Sequence, residues 1–84
     1  MRKQDKLLHR ILQGDSDANI PFDGLRRLLL NLGFEERSRG SHHLFRRSGV
    51  EEKINLQREG AKAKVYQVLQ VRSVILKYKL GGVE

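Results

Sequence analysis

The chain has 84 residues, 38% of them hydrophobic and 32% charged, which argues against a disordered chain and leaves room for one domain. It contains no cysteine, so disulfide bridges and thiolate metal sites are excluded. Its net charge of +7 attracts polyanions, and it favours nucleic-acid binding over the plainer alternative of a solvated basic surface without a dedicated ligand.

Two amphipathic helices are predicted in the first part of the chain. Residues 3–13 place leucine and isoleucine on one helical stripe, and Gly14 follows as a stop signal. After a polar connector, the apolar residues of 22–32 again follow helical spacing, with Gly33 as the C-terminal cap. The opposite face of this second helix carries Arg26, Arg27 and Asn31, which we interpret as a solvated face, with a contact for phosphate or a partner as the less frequent alternative.

Three strands and a last helix are predicted after Gly33. The strands are residues 34–38, 42–47 and 53–57, and the glycines between them predict an antiparallel meander. Alternate residues of the third strand are apolar, which predicts a sheet with one buried face. The last helix spans residues 65–78 and has the wide apolar face that packing across a sheet requires. The order predicts an α+β sandwich with the helices on one side of the sheet.

The segment Gly40-Ser41-His42-His43, at the start of the second strand, is the best candidate for a chemical site. Histidine has an unperturbed pKa of about 6.5, so it can serve as acid or base near neutral pH. Because adjacent strand residues point to opposite faces, only one of the two histidines can face a given site. From the residue types alone, an ordinary surface role is the more frequent outcome for such a pair.

No metal site and no cofactor are predicted. The third histidine, His9, lies in the first helix, and no Asp or Glu stands at a spacing that would recruit either His42 or His43 into a metal site. The sequence also lacks a glycine-rich phosphate loop and the elbow motif of a serine nucleophile. Aromatic residues are too few for a base-stacking platform, so phosphate contacts would carry most of any RNA binding.

Two motifs stand together between Phe22 and Phe45. A leucine-rich helix ends in Leu-Gly-Phe, and after Glu-Glu-Arg-Ser-Arg the chain continues with Gly-Ser-His-His-Leu-Phe. This combination resembles the HicA (YcfA-type) mRNA interferase family. The likeness continues through Ile54-Asn55-Leu56-Gln57, Tyr66-Gln67-Val68 and Leu76-Lys77-Tyr78. It implies a single domain over residues 1–84, with a double-stranded-RNA-binding-like α-β-β-β-α sandwich at 20–80 and an extra N-terminal helix at 1–14.

The resemblance implies a metal-free endoribonuclease that cleaves mRNA and is neutralised by a HicB-type antitoxin in a hetero-oligomer. By the motif, the catalytic residue is His42, three residues before Phe45, with His43 as the alternative. The residues expected to contact RNA are Gly40, Ser41, Arg39, Arg46, Arg47, Lys62 and Lys64. One competing interpretation is a non-catalytic RNA-binding module of the same fold, and another is a protein-interaction domain whose basic face binds an acidic partner.

In the implied chemistry, the imidazole takes a proton from a ribose 2′-hydroxyl, and arginines stabilise the negative charge on the attacked phosphate. A common family pattern ends the third strand in Pro and His, whereas this chain has Asn55-Leu56-Gln57, so His43 and Lys64 remain as candidate proton donors. The N-terminal segment lacks the long apolar stretch of a signal peptide or membrane span, which predicts a cytoplasmic protein.

Overall fold

A computed structural model describes residues 3–82 and places three α-helices and a three-stranded antiparallel sheet in them. The elements are α1 (Lys3–Gln13), α2 (Phe22–Asn31), β1 (Glu35–Arg39), β2 (His42–Arg46), β3 (Ile54–Gln57) and α3 (Val65–Tyr78). Short 3-10 helices lie at Asp17–Asn19 and Leu80–Gly82. The predicted α+β class is confirmed. None of the helices in this range combines the length and apolar character needed to cross a membrane.

The end of α2 explains why β1 begins one residue later than predicted. Gly33 has a φ of +95°, its N–H donates to Leu30 O at 3.1 Å, and the N–H of Phe34 donates to Leu29 O at 3.1 Å. These two bonds form a Schellman motif, in which glycine accommodates the left-handed turn. Phe34 therefore still belongs to the helix end, and pairing with β2 starts at Glu35.

The sheet has the order β1-β2-β3, and one of its faces packs on the helices. Phe45, Ile54 and Leu56 alternate on this face, are fully buried and share one core with apolar residues of all three helices. The other face of the sheet is open, because α1 packs on α2 and α3 rather than on the strands. Both the antiparallel meander and the single buried face are confirmed.

The first helix is joined to the last by an arginine. Arg72 of α3 donates from Nε to Ile11 O at 2.6 Å and forms an ion pair with Asp17 in the connector after α1. Ile11 itself is fully buried in the core. The N-terminal helix is therefore an integral part of the packed structure, and the open face of the sheet stays clear of it.

Candidate nucleic-acid interface and active site

A two-residue turn places Arg39 and His42 side by side where β1 passes into β2, since the two residues are directly paired in the register. Gly40 occupies the first central position with a φ of +61°, whereas Ser41 does not have a positive φ. A positive φ at the first central position alone is the pattern of a type II′ hairpin turn, which glycine favours. The C=O of Ser41 accepts the N–H of Arg58 at 2.8 Å, so the turn is also tied to the chain after β3.

The open face of the sheet carries a shallow groove beside His42, with a volume of about 290 Å³. Its lining residues are Arg37, Ser38, Arg39, His42, Leu44 and Asn55. A smaller cavity of about 120 Å³ shares Arg37 and Leu44 and extends this surface along β1 and β2 to Glu35 and Arg46, which are register partners. We call the residues that line these two cavities the open-face groove.

The open-face groove carries three arginines and one acidic residue, Glu35, which lies opposite Arg46 in the register. Arg37, Arg39 and Arg46 are all exposed, and in the described part of the chain none of the three takes part in an ion pair. His42 is exposed among them. An exposed imidazole flanked by uncompensated guanidinium groups can accept a proton while the arginines hold a phosphate.

His43 lies on the opposite face of the sheet and is only 9% exposed. Its Nδ1 is 2.8 Å from Glu36 Oε2, and Arg26 Nε donates to the same oxygen at 2.6 Å. Because an ionised carboxylate only accepts hydrogen bonds, His43 Nδ1 is the donor. The edge of the imidazole also packs on the ring of Phe22, with 5.3 Å between the ring centroids. We call Arg26, Glu36 and His43 the inner-face network.

The charge of Glu36 is maintained by its partners. The Arg26 guanidinium that donates to Glu36 holds the pKa of that carboxyl below its ordinary value of 4.5, and the hydrogen bond from His43 lowers the pKa further against the opposing effect of burial. The side chains of Glu36 and His43 are about 10% exposed, against 33% for Arg26. The network therefore holds a charged carboxylate against the inner face of the sheet.

The inner-face network corrects one expectation from the sequence and adds one contact that was not predicted. Arg26 is paired with Glu36 rather than simply solvated, and the same carboxylate contacts His43. The strand register explains both, because Glu36 pairs with Phe45 and is thus a diagonal neighbour of His43 on the inner face. A charged residue that alternates onto a buried strand face needs a partner, and this signal at Glu36 was present in the sequence.

The residues predicted to contact RNA are distributed over several places. Arg39 lines the open-face groove with His42, and Arg46 lies on the same face about 13 Å further along β2. Arg47 lines a further cleft at the far end of β2, which shares Arg46 with the open-face groove. Lys62 donates to Asn19 Oδ1 at 3.1 Å, and Lys64 pairs with Glu59 at 2.7 Å, both in the segment between β3 and α3.

Five residues of the open-face groove were not among the predicted site residues, namely Glu35, Arg37, Ser38, Leu44 and Asn55. Arg37 could have been found by the alternation of the strand, because it lies two residues before Arg39 on the same face. Asn55 could not have been found in this way, since its position beside His42 depends on how β3 pairs with β2.

The end of β3 is held next to His42 by a buried glutamine. Gln57 is the direct register partner of His42, and its C=O accepts a hydrogen bond from Gln67 Nε2 at 3.1 Å. Gln67 is fully buried, and its Oε1 accepts the N–H of Lys64 at the start of α3, at 3.2 Å. One side chain thus fixes the distance between α3 and the strand that borders the groove.

Comparison of the chain with protein-family models, with curated proteins and with solved structures found no match. The open-face groove could support acid-base chemistry on a phosphate, because it places the exposed imidazole of His42 beside arginines that form no ion pair in the described residues.

Proposed function

We propose that this chain is a metal-independent endoribonuclease of the HicA type, which cleaves mRNA as the toxin of a toxin-antitoxin pair. The observation that carries the proposal is the position of His42, which is exposed in a groove together with Arg37 and Arg39. RNA cleavage by attack of the 2′-hydroxyl on the adjacent phosphate needs a proton acceptor near the hydroxyl and positive charge near the phosphate. The groove places His42 and the two arginines in one cavity.

In the proposed reaction, His42 accepts the proton of a ribose 2′-hydroxyl while the 2′-oxygen attacks the adjacent phosphorus. The bond to the 5′-oxygen breaks, which yields a 2′,3′-cyclic phosphate and a 5′-hydroxyl end. Arg37 and Arg39 stabilise the negative charge that builds up on the phosphate oxygens. The leaving 5′-oxygen takes its proton from water, because His43 is turned to the inner face and Lys64 is paired with Glu59.

We also propose a double-stranded-RNA-binding-like fold, a cytoplasmic location and a HicB-type antitoxin as the partner. The order α2, β1, β2, β3, α3 agrees with the α-β-β-β-α order of a double-stranded-RNA-binding-like domain, with α1 as the additional helix. The net charge of +7 favours association with RNA and equally with an acidic protein. A HicB-type antitoxin in the cytoplasm would inhibit the enzyme by covering Arg37 and Arg39 with acidic side chains.

The direct test is incubation of the purified protein with a long single-stranded RNA in excess chelator. We expect cleavage to fragments with cyclic phosphate ends, and no cleavage of the same sequence with 2′-O-methyl groups, because the methyl group removes the attacking hydroxyl. If the RNA is retarded on a gel but stays intact, the protein is a non-catalytic RNA-binding module. A requirement for added Mg²⁺ would contradict the metal-independent mechanism.

The hairpin turn offers a second test with a matched control. Gly40→Ala is expected to destabilise the fold by about 1–2 kcal/mol, because a side chain disfavours the positive φ although nothing lies within 4 Å of the new Cβ. Gly49→Ala, at a φ of +87° with equally open surroundings, should cost about the same.

Only Gly40 adjoins the groove, so Gly40→Ala should lower the rate of RNA cleavage more than Gly49→Ala does. Urea unfolding and single-turnover cleavage, measured for both variants, check the two expectations. Equal rates in the two variants would show that the turn does not position His42.

A further inference from the structure

The open face of the sheet is divided by residue type. Its three arginines lie on β1 and β2, at positions 37, 39 and 46, with the acidic Glu35 opposite Arg46 at the start of β1. The strand β3 contributes the uncharged amides Asn55 and Gln57. The register aligns them in two rows across the sheet, Arg39–His42–Gln57 and Arg37–Leu44–Asn55. Neighbouring strands are about 4.8 Å apart. The arginines of β1 and the amides of β3 are therefore about 10 Å apart, and His42 on β2 lies halfway between them.

Such a division matches the two sides of an RNA strand. Phosphates are bound by arginine without regard to sequence, whereas bases are distinguished by groups that complement their donor and acceptor pattern. A carboxamide carries two donors and an acceptor on one planar group, which is the complement of a base edge. With its backbone over β1 and β2, an RNA strand would direct its bases to β3.

Asn55 is the amide best placed for this role. It is exposed and lines the same cavity as His42, Arg37 and Arg39. Leu44 lies between Arg37 and Asn55 in the same row and offers an apolar surface for a ribose or for the flat side of a base. The cavity therefore holds a proton acceptor, a phosphate-binding pair and an amide within one nucleotide's reach.

We propose that Asn55 reads the base of a nucleotide next to the scissile phosphate and thereby sets the sequence preference of the proposed ribonuclease. The assignment rests on the proposed function, because it takes the groove beside His42 as the place of cleavage. It adds that preference arises from hydrogen bonds made by β3, while the arginines of β1 contribute affinity that is independent of the base.

The test compares wild type, Asn55→Ala and Arg37→Ala on short RNAs in which the nucleotides around the cleavage site are varied one at a time. For Asn55→Ala we expect the ratio of kcat/KM between the best and worst base to fall about tenfold or more, with the largest loss on the preferred base. For Arg37→Ala we expect slower cleavage and weaker binding of every RNA, a salt dependence of binding shallower by about one in log-log slope, and an unchanged ratio between bases. Thermal melting verifies that both variants are folded.

The outcomes separate this proposal from the ribonuclease proposal. If wild type cuts RNA but Asn55→Ala keeps the wild-type base ratio, or if wild type has no base preference, Asn55 does not read a base although the enzyme assignment stands. If wild type cuts none of the RNAs, both the enzyme assignment and the placement of Asn55 at a cleavage site are wrong. A parallel loss in Asn55→Ala for all bases would mark Asn55 as a general binding residue and would also overturn the proposal.

Discussion

Replacement of His42 by glutamine is expected to lower the single-turnover rate constant of RNA cleavage by a factor of about 10² to 10⁴, the usual contribution of a general base. The amide of glutamine cannot accept the 2′-hydroxyl proton at neutral pH. Because His42 is exposed, the variant should melt near the wild-type temperature, and because Arg37 and Arg39 remain, it should still bind RNA. Cleavage with protein in excess, gel retardation and thermal melting measure the three quantities.

The other two histidines provide the controls. His9 is exposed on α1, so His9→Gln removes an equivalent side chain without touching the groove and should leave the rate unchanged. His43→Asn is expected to lower the melting temperature through the loss of the contact with Phe22, yet to retain cleavage at temperatures where it is folded. If folded His43→Asn were inactive and His42→Gln active, the catalytic residue would be His43 and the active site would lie on the inner face.

Replacement of Glu36 by alanine is expected to lower the free energy of unfolding by about 2–3 kcal/mol. The carboxylate is the common acceptor of Arg26 and His43, so both lose their partner at once. Arg26 is one-third exposed and can turn to water, whereas the Nδ1–H of His43 is left buried without an acceptor. Most of the lost stability therefore comes from the unsatisfied N–H of His43. Urea unfolding at neutral pH measures the change in the free energy of unfolding.

Glu35 is the matched control for Glu36. It is the neighbouring glutamate on the same strand, but it points to the open face and is exposed. Glu35→Ala should change the free energy of unfolding by less than about 0.5 kcal/mol, as is usual for surface substitutions. Similar losses in the two variants would mean that the removed charge, and not the inner-face network, determines the stability.

Acidification should weaken the stabilisation of the fold by Glu36. Its pKa in the folded protein lies below the ordinary value of 4.5, so the carboxylate stabilises the fold above that pH. The stabilisation is lost as the pH falls from about 4.5 through the lowered pKa, because over this range the unfolded state binds a proton on Glu36 more readily than the folded state does. The difference in unfolding free energy between wild type and Glu36→Gln is expected to be constant near neutral pH and to shrink below about pH 4.5. A difference that does not change with acidification would contradict the ionised network.

Local sequence patterns were enough to predict most of the secondary structure. The helical spacing of the leucines in 22–32, the stop at Gly33 and the apolar alternation of Ile54 and Leu56 all depend on neighbours a few residues apart, and the structure has the corresponding helix, cap and strand. The opposite orientation of His42 and His43 follows for the same reason, since alternation is a property of one strand.

Only the tertiary structure decided which residues surround each histidine. The partners of His43 come from β1 and from α2, and the neighbours of His42 come from β1 and β3. These contacts depend on the pairing register and on where α2 crosses the inner face, which are set by the packing of the whole core. The pairing register cannot be predicted directly from composition and periodicity. The sequence by itself therefore determined the elements and the candidate histidine pair, while the fold determined that one histidine joins the inner-face network and the other lies in the basic groove.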